Sequence, residues 1–184
     1  MATNLVMRPL NDHDAIFQMW LEAHRGIFVK VARSFAREPS DTADLQQEML
    51  LQLWNALGSY AGEAKPSTWI YRVCLNTALT WQRSITRRER RFVSFADTDT
   101  KHAPIDAASP ADRAGDGELL DKLYAAIHQL PHTDRALVLL SLDGLAYREI
   151  TEITGLTENH VGVALTRARK RLAALMKGIT DELE

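Results

Sequence analysis

Cysteine is almost missing from this chain: Cys74 is the only one in 184 residues. No intrachain disulfide can form, and a cysteine-based zinc site within one chain is excluded. That usage fits a reducing compartment. Set between Val73 and Leu75, the thiol is expected to be a small buried side chain rather than a nucleophile. Long apolar runs are missing as well. None is long enough to span a bilayer, and the opening stretch MATNLVMRPLNDHD has no apolar signal-peptide core. A cytoplasmic protein without membrane insertion is expected. Catalytic signatures are also lacking. There is no HExxH, P-loop or GxGxxG, and His13, His24, His102, His128, His132 and His160 are scattered along the chain. No catalytic residue, metal site or cofactor is expected, and the chain reads as a non-enzyme. Alternation of the kind that makes a strand is absent, and so is any internal repeat.

What remains is helical periodicity, and an apolar share of 46%, ordinary for a globular protein. Ile16, Trp20, Ala23, Ile27, Val31 and Phe35 follow one another at helical steps and predict a helix over residues 14–35. Ser40 or Asp41 is expected to cap a second helix, with Leu45, Met49, Leu53 and Leu57 as its buried stripe. Leu50 and Trp54 widen that stripe. A loop, GSYAGEAKP, separates it from a third helix capped by Ser67. Residues 92–117 hold small residues, prolines and aspartates without apolar period, and read as a linker. Beyond them Leu119, Leu120, Leu123, Ile127 and Leu130 predict another helix, which Pro131 ends. Thr133 is expected to cap the next.

The segment Leu145–Met176 carries the clearest pattern. Ala146, Ile150 and Ile153 make a short helical stripe, Gly155 breaks it, and Thr157 offers a cap to a longer helix. Val161, Leu165, Ala168, Leu172 and Leu175 face one way; Asn159, Thr166, Arg167 and Lys170 face the other. Short helix, glycine turn and polar-faced helix form the helix-turn-helix pattern, whose second helix can enter the DNA major groove. An amphipathic hairpin inside a bundle has the same pattern. Net charge is only −2, but its distribution is uneven. Arg83, Arg87, Arg88, Arg90 and Arg91 form one basic block, and Arg167, Arg169, Lys170 and Arg171 another. Asp97, Asp99, Asp106, Asp112 and Asp116 lie between them. Two nucleic-acid-facing modules and a linker would give this pattern; so would solvated helix faces. In the third helix Trp69, Tyr71 and Trp81, with Tyr60 in the loop before it, sit among polar and basic residues. Aromatic faces that stack on unpaired bases, beside cations that follow phosphates, suit single-stranded nucleic acid. A core role for Trp69 and Trp81 is the competing reading.

Several ordered motifs then resemble one family, the extracytoplasmic-function branch of the bacterial sigma-70 factors. Asp44-Leu45-Gln46-Gln47-Glu48 with Leu53-Trp54-Asn55-Ala56-Leu57 resembles its D-L-x-Q-E helix. Ser67-Thr68-Trp69-Ile70-Tyr71-Arg72-Val73, with Asn76 and Ala78, resembles its T-W-L-Y-R-I-A-x-N-x-A signature. Leu130-Pro131 and Gly144-Leu145-Ala146-Tyr147-Arg148-Glu149-Ile150 resemble L-P and G-x-S-Y-x-E-I, and Arg167-Ala168-Arg169-Lys170-Arg171-Leu172 resembles R-A-R-x-x-L.

The resemblance implies an all-α fold of two small helical domains joined by a flexible acidic linker. Residues 1–92 would be sigma region 2, 93–116 the linker and 117–184 sigma region 4. It implies core RNA polymerase (β and β′ subunits) and promoter DNA as partners, with an anti-sigma factor as a further candidate. Asp44, Gln47 and Glu48 would bind core polymerase. Tyr60, Ser67, Thr68, Trp69, Tyr71, Arg72, Asn76 and Arg83 would recognise and melt the −10 element, and Thr157, Asn159, His160, Thr166, Arg167 and Lys170 would read the −35 element. One departure is visible: where the family commonly has T-V-K-S-R, this chain has His160-Val161-Gly162-Val163-Ala164. A free-standing helix-turn-helix regulator and a helical interaction protein without a DNA role are the alternatives.

Overall fold

The computed structural model describes residues 12–93 and 116–181, without the side chains of residues 12, 87–93, 116 and 179–181. Nearly all of the expected linker and the side chains of Arg87, Arg88, Arg90 and Arg91 therefore lie outside the described residues. Seven helices and no strand are found among those described: α1 (Asp12–Phe35), α2 (Pro39–Leu57), α3 (Pro66–Val93), α4 (Asp116–His128), α5 (His132–Leu142), α6 (Tyr147–Thr154) and α7 (Glu158–Asp181). None of them is long and apolar enough to cross a membrane.

The first three helices pack together. The α2 stripe of Leu45, Met49, Leu53 and Leu57 is buried as its spacing requires. It meets Ile27, Val31 and Phe35 of α1 and Ile70, Cys74 and Ala78 of α3. Burying each large apolar side chain contributes about 1.5–3 kcal/mol relative to leaving it exposed. Cys74 is fully buried, and that burial pushes its thiol pKa up. The α1 stripe holds only in part. His24 has non-helical angles (φ −123°, ψ 17°), and the kink rotates the first half of the helix. Ile16 and Ala23 consequently face solvent, while Phe17 and Trp20 turn inward.

Three of the expected caps are corrected. Proline, whose missing N–H costs nothing in a first turn, sets these helix starts. Pro39 opens α2 after an extended Glu38, so Ser40 and Asp41 lie inside the first turn. Pro66 opens α3 and places Ser67 within it. Pro131 precedes α5, so Thr133 is a first-turn residue. Thr157 does cap α7, its hydroxyl accepting the His160 N–H at 3.3 Å.

The second half packs α4 and α5 on α7, with Ile127, Leu130, Val138, Ala168 and Leu172 buried between them. It is not separate from the first. Leu137, Leu140, Ile150, Ile153, Val161 and Leu165 belong to the same buried cluster as the α1–α3 core. Polar contacts join the halves too. Lys30 pairs with Asp143, and Arg33 with Asp121 at 2.8 Å while lying 4.3 Å from the Tyr124 ring centroid. Phe35 stacks on His132 and faces the Arg135 guanidinium.

Candidate nucleic-acid interface

The described surface offers three faces to partners. The first is the outward side of α2. Opposite its buried stripe, Asp44, Gln47, Glu48, Leu51 and Asn55 recur at steps of three and four. Asp44 and Gln47 are exposed, and Glu48 accepts a 2.8 Å hydrogen bond from Gln52. Leu51 was not singled out from the sequence, yet it is 52% exposed in the midst of these polar groups. Its signal was available: a leucine off its helix's apolar stripe. Trp54 lies at the border, packed edge-on against His13 and Phe17.

The second face is the start of α3 with the loop before it. Gly62 takes φ 78° there, a conformation glycine adopts without strain. Tyr60 is not a loose loop aromatic. Its hydroxyl donates to the Ala64 carbonyl at 2.5 Å, and its ring meets Trp20 and Trp69 edge-on at 4.8 and 5.4 Å. Trp20 closes the triad at 5.7 Å from Trp69, a partner that its place in the α1 stripe did not reveal.

Of the eight residues expected at the −10 element, Trp69, Arg72, Asn76 and Arg83 share one outward stripe of α3. Thr68 and Tyr71 do not: they are 3% and 2% exposed. With Ser67 they line a cleft of about 380 Å³ whose far wall is Asp143, Gly144 and Glu149. The Tyr71 hydroxyl is buried without a hydrogen-bond partner among the described residues.

The helix α6 covers this end of α3. Lys65 pairs with Glu149 at 2.7 Å, and Arg72 donates to the Glu152 carbonyl at 2.5 Å. The pair raises the Lys65 pKa and lowers that of Glu149, whose carboxylate also accepts the Ala146 N–H at 3.0 Å.

The third face is the helix-turn-helix. Gly155 ends α6 in the left-handed region at φ 72°, and α7 follows with Val161, Ala164, Leu165 and Ala168 buried. Asn159, His160, Thr166, Arg167 and Lys170 are exposed, and the main packing partners of α7 are α4, α5 and α6, so among the described residues this face stays open. The cations divide. Arg167 and Arg171 both pair with Asp134 of α5, at 3.2 and 2.5 Å. Arg169 donates to the Ser141 hydroxyl at 2.5 Å. Lys170 makes no ion pair among the described residues.

Asp134, 1% exposed, and Arg135, 5% exposed, were not singled out from the sequence. Arg135 donates to the carbonyls of His128 and Leu130, satisfying the end of α4. Burial first, then Arg37, lowers its pKa to about 10. Burial first, then the charges of Arg135 and Arg37, lowers that of His128 to about 4.

Comparison with known proteins bears on both halves. A family model described as Sigma-70 region 2 matches residues 20–89, and one described as Sigma-70, region 4 matches residues 120–172. Together they cover about two thirds of the chain. The chain is 23% identical over 168 residues to the ECF RNA polymerase sigma factor SigX of Bacillus subtilis, covering 91% of this chain and 87% of that protein. It is 27% identical over 204 aligned positions to the ECF RNA polymerase sigma factor SigG of Mycobacterium tuberculosis, covering all of this chain but only 55% of that longer protein. Its fold resembles that of the sigma factor RpoE solved in complex with the anti-sigma factor NepR from Bartonella quintana. There the TM-score is 0.63 at 19% identity, covering 90% of this chain and 97% of that one.

Proposed function

The chain belongs to the sigma-70 family, in its extracytoplasmic-function branch, and from that membership we propose how its faces share the work of starting transcription. It is a sigma factor of RNA polymerase: it binds core polymerase and directs initiation at promoters. The nucleotidyl transfer belongs to the polymerase, so this chain acts by recognition. Residues 1–92 serve as region 2, 93–116 as linker and 117–184 as region 4.

The outward α2 face binds the core enzyme through Asp44, Gln47 and Glu48, with Leu51 as an apolar anchor among them. An interface whose rim is charged and whose centre holds a large side chain is favoured on energetic grounds. The Trp69–Arg72–Asn76–Arg83 stripe meets the −10 element, with Tyr60 at its edge. Separating the strands costs a few kcal/mol per unstacked base, which binding of the exposed base must recover. Arg72, which α6 holds, and Ser67, Thr68 and Tyr71 join only after α6 has left α3. The arrangement described is therefore read as the resting form, and the polymerase-bound form has its halves apart. Region 4 reads the −35 element through the open face of α7. An anti-sigma factor that grips both halves would hold the resting form, and such a partner is included in the proposal.

The observation that carries this reading is the order of the two region models along the chain, each on a face of fitting chemistry. A free-standing regulator has no use for the α2 face. Run-off transcription with sigma-free core polymerase and genomic promoter fragments tests it. Promoter-specific transcripts are expected only when chain and core are both present. Absence of any chain-dependent transcript, together with failure to co-purify with core, would overturn the assignment.

A further inference from the structure

The outward stripe of α7 runs Asn159, Val163, Thr166, Lys170, at steps of four, three and four. It lies directly opposite the buried Val161, Ala164, Leu165 and Ala168. At its centre Val163 is 64% exposed, the highest value among the exposed large apolar side chains described. A β-branched residue there lowers helix propensity and buries nothing in the fold. Gly162 beside it costs the helix more, though a Cβ there would meet the Tyr147 ring at 3.5 Å, an ordinary contact. That ring, 41% exposed, borders the same turn. The face thus presents an amide, an isopropyl group and a hydroxyl, with an ammonium at its far end. Arg167, the other cation beside it, is held by Asp134.

We propose that Val163 reads the C5 methyl groups of thymines in the major groove, with Asn159 and Thr166 supplying the flanking hydrogen bonds. This rests on the −35 reading given above and specifies its chemistry. Thymine alone among the four bases carries that methyl into the major groove, and apolar side chains recognise it by contact. An amide such as that of Asn159 pairs in a bidentate way with adenine N6 and N7. The upstream element is then rich in A·T pairs, chosen by apolar contact and amide pairing. Phosphate neutralisation contributes little, since Lys170 is the one cation on the stripe.

The test uses the full chain assembled with core polymerase. Duplexes randomised upstream of a fixed −10 region are selected for binding, and each thymine of the selected upstream element is replaced singly by deoxyuridine, which lacks only the methyl. Expected is an enriched A·T-rich element with one or two thymines where uracil weakens binding about fourfold, the ratio for about 0.8 kcal/mol per buried methyl. Val163→Ala, at an exposed site that tolerates alanine, should weaken binding to the thymine duplex similarly and erase the thymine–uracil difference. That cancellation is the coupling a double-mutant cycle isolates. Uracil without effect at every thymine, or a thymine–uracil difference that survives Val163→Ala, overturns the inference and leaves the −35 reading standing. No enrichment of any upstream sequence overturns the −35 reading itself. Unchanged DNA affinity in Val163→Ala with loss of a protein partner would assign this face to protein docking and likewise overturn the inference.

Discussion

On the proposed DNA-reading role of α7, Asp134 is the place where stability and DNA affinity pull against each other. Its carboxylate is 2% exposed and accepts from Arg167 and Arg171, whose side chains remain 57% and 48% exposed. Asp134→Asn keeps the volume, so no cavity opens. It removes the charge and turns one acceptor into a donor that faces a guanidinium. Only one arginine can then keep a partner. A charge-assisted hydrogen bond is worth about 1.5–3 kcal/mol when well made. Water around both arginines screens these, so a loss of about 2 kcal/mol is the reasonable figure. For a chain of this size that lowers Tm by about 4–8 °C. Meanwhile Arg167 gains freedom to reach phosphate, which should steepen the log–log salt dependence of upstream DNA binding by up to about 0.9. Calorimetric melting and salt titration of the variant read the two effects separately. A Tm unchanged within about 1 °C would mean that Asp134 does not staple α5 to α7, refuting the first half of the reasoning. A lowered Tm with an unchanged slope would mean that Arg167 lies out of reach of the backbone.

Three further outcomes follow from contacts on other faces. Glu48→Lys should weaken core-polymerase binding by about 2 kcal/mol or more, as like charges meet across an interface, while circular dichroism stays normal; unchanged affinity would remove α2 from the interface. Lys30→Glu sets two carboxylates against each other at Asp143, and should raise the radius of gyration in X-ray scattering. Adding Asp143→Lys should restore it, and a failure to restore would show that the pair does not hold the halves together. The third concerns acid. His128 is held near pKa 4 in the fold, against about 6.5 in an unfolded chain, so protons favour the unfolded state. The stability at stake is complete above pH about 6.5 and is lost as pH falls toward 4, up to about 3 kcal/mol and nearer 1–2 after solvent screening. His128→Gln should flatten this part of a Tm-against-pH profile, and an unaltered profile would place the acid sensitivity elsewhere.

Much of the helical frame was legible because periodicity reports which side of a helix is buried. The α2 stripe and the Gly155 turn needed nothing more. Periodicity does not report what covers that side. Ile150 and Ile153 were readable as buried, but their joining of the α1–α3 core was not, since that depends on contacts between residues about eighty positions apart. The same limit hid Thr68 and Tyr71: threonine and tyrosine in an aromatic, basic helix fit a wet surface as well as a covered one. Cap positions were misread because a cap-forming side chain is a weaker signal than a neighbouring proline with a fixed φ. The kink at His24 left no mark in the sequence. Arg135 illustrates the reverse, a residue that looks like surface charge and lies instead against Phe35, satisfying the end of α4.

On the −10 reading proposed above, the placement of α6 on α3 makes part of the chain a tethered competitor for the DNA it binds. The two halves belong to one chain, so a released α6 stays near α3 at an effective concentration that for short connections is on the order of millimolar. Stray single-stranded DNA in a cell must exceed that value, weighted by its affinity, to displace α6 from Arg72 and Lys65. On the same proposal, core polymerase would escape this competition by binding the outward α2 face and drawing the halves apart, which dilutes the competitor instead of outbidding it. Selectivity for promoters over other melted DNA would then arise before any base is read, from the covalent link between the competitor and the site it covers.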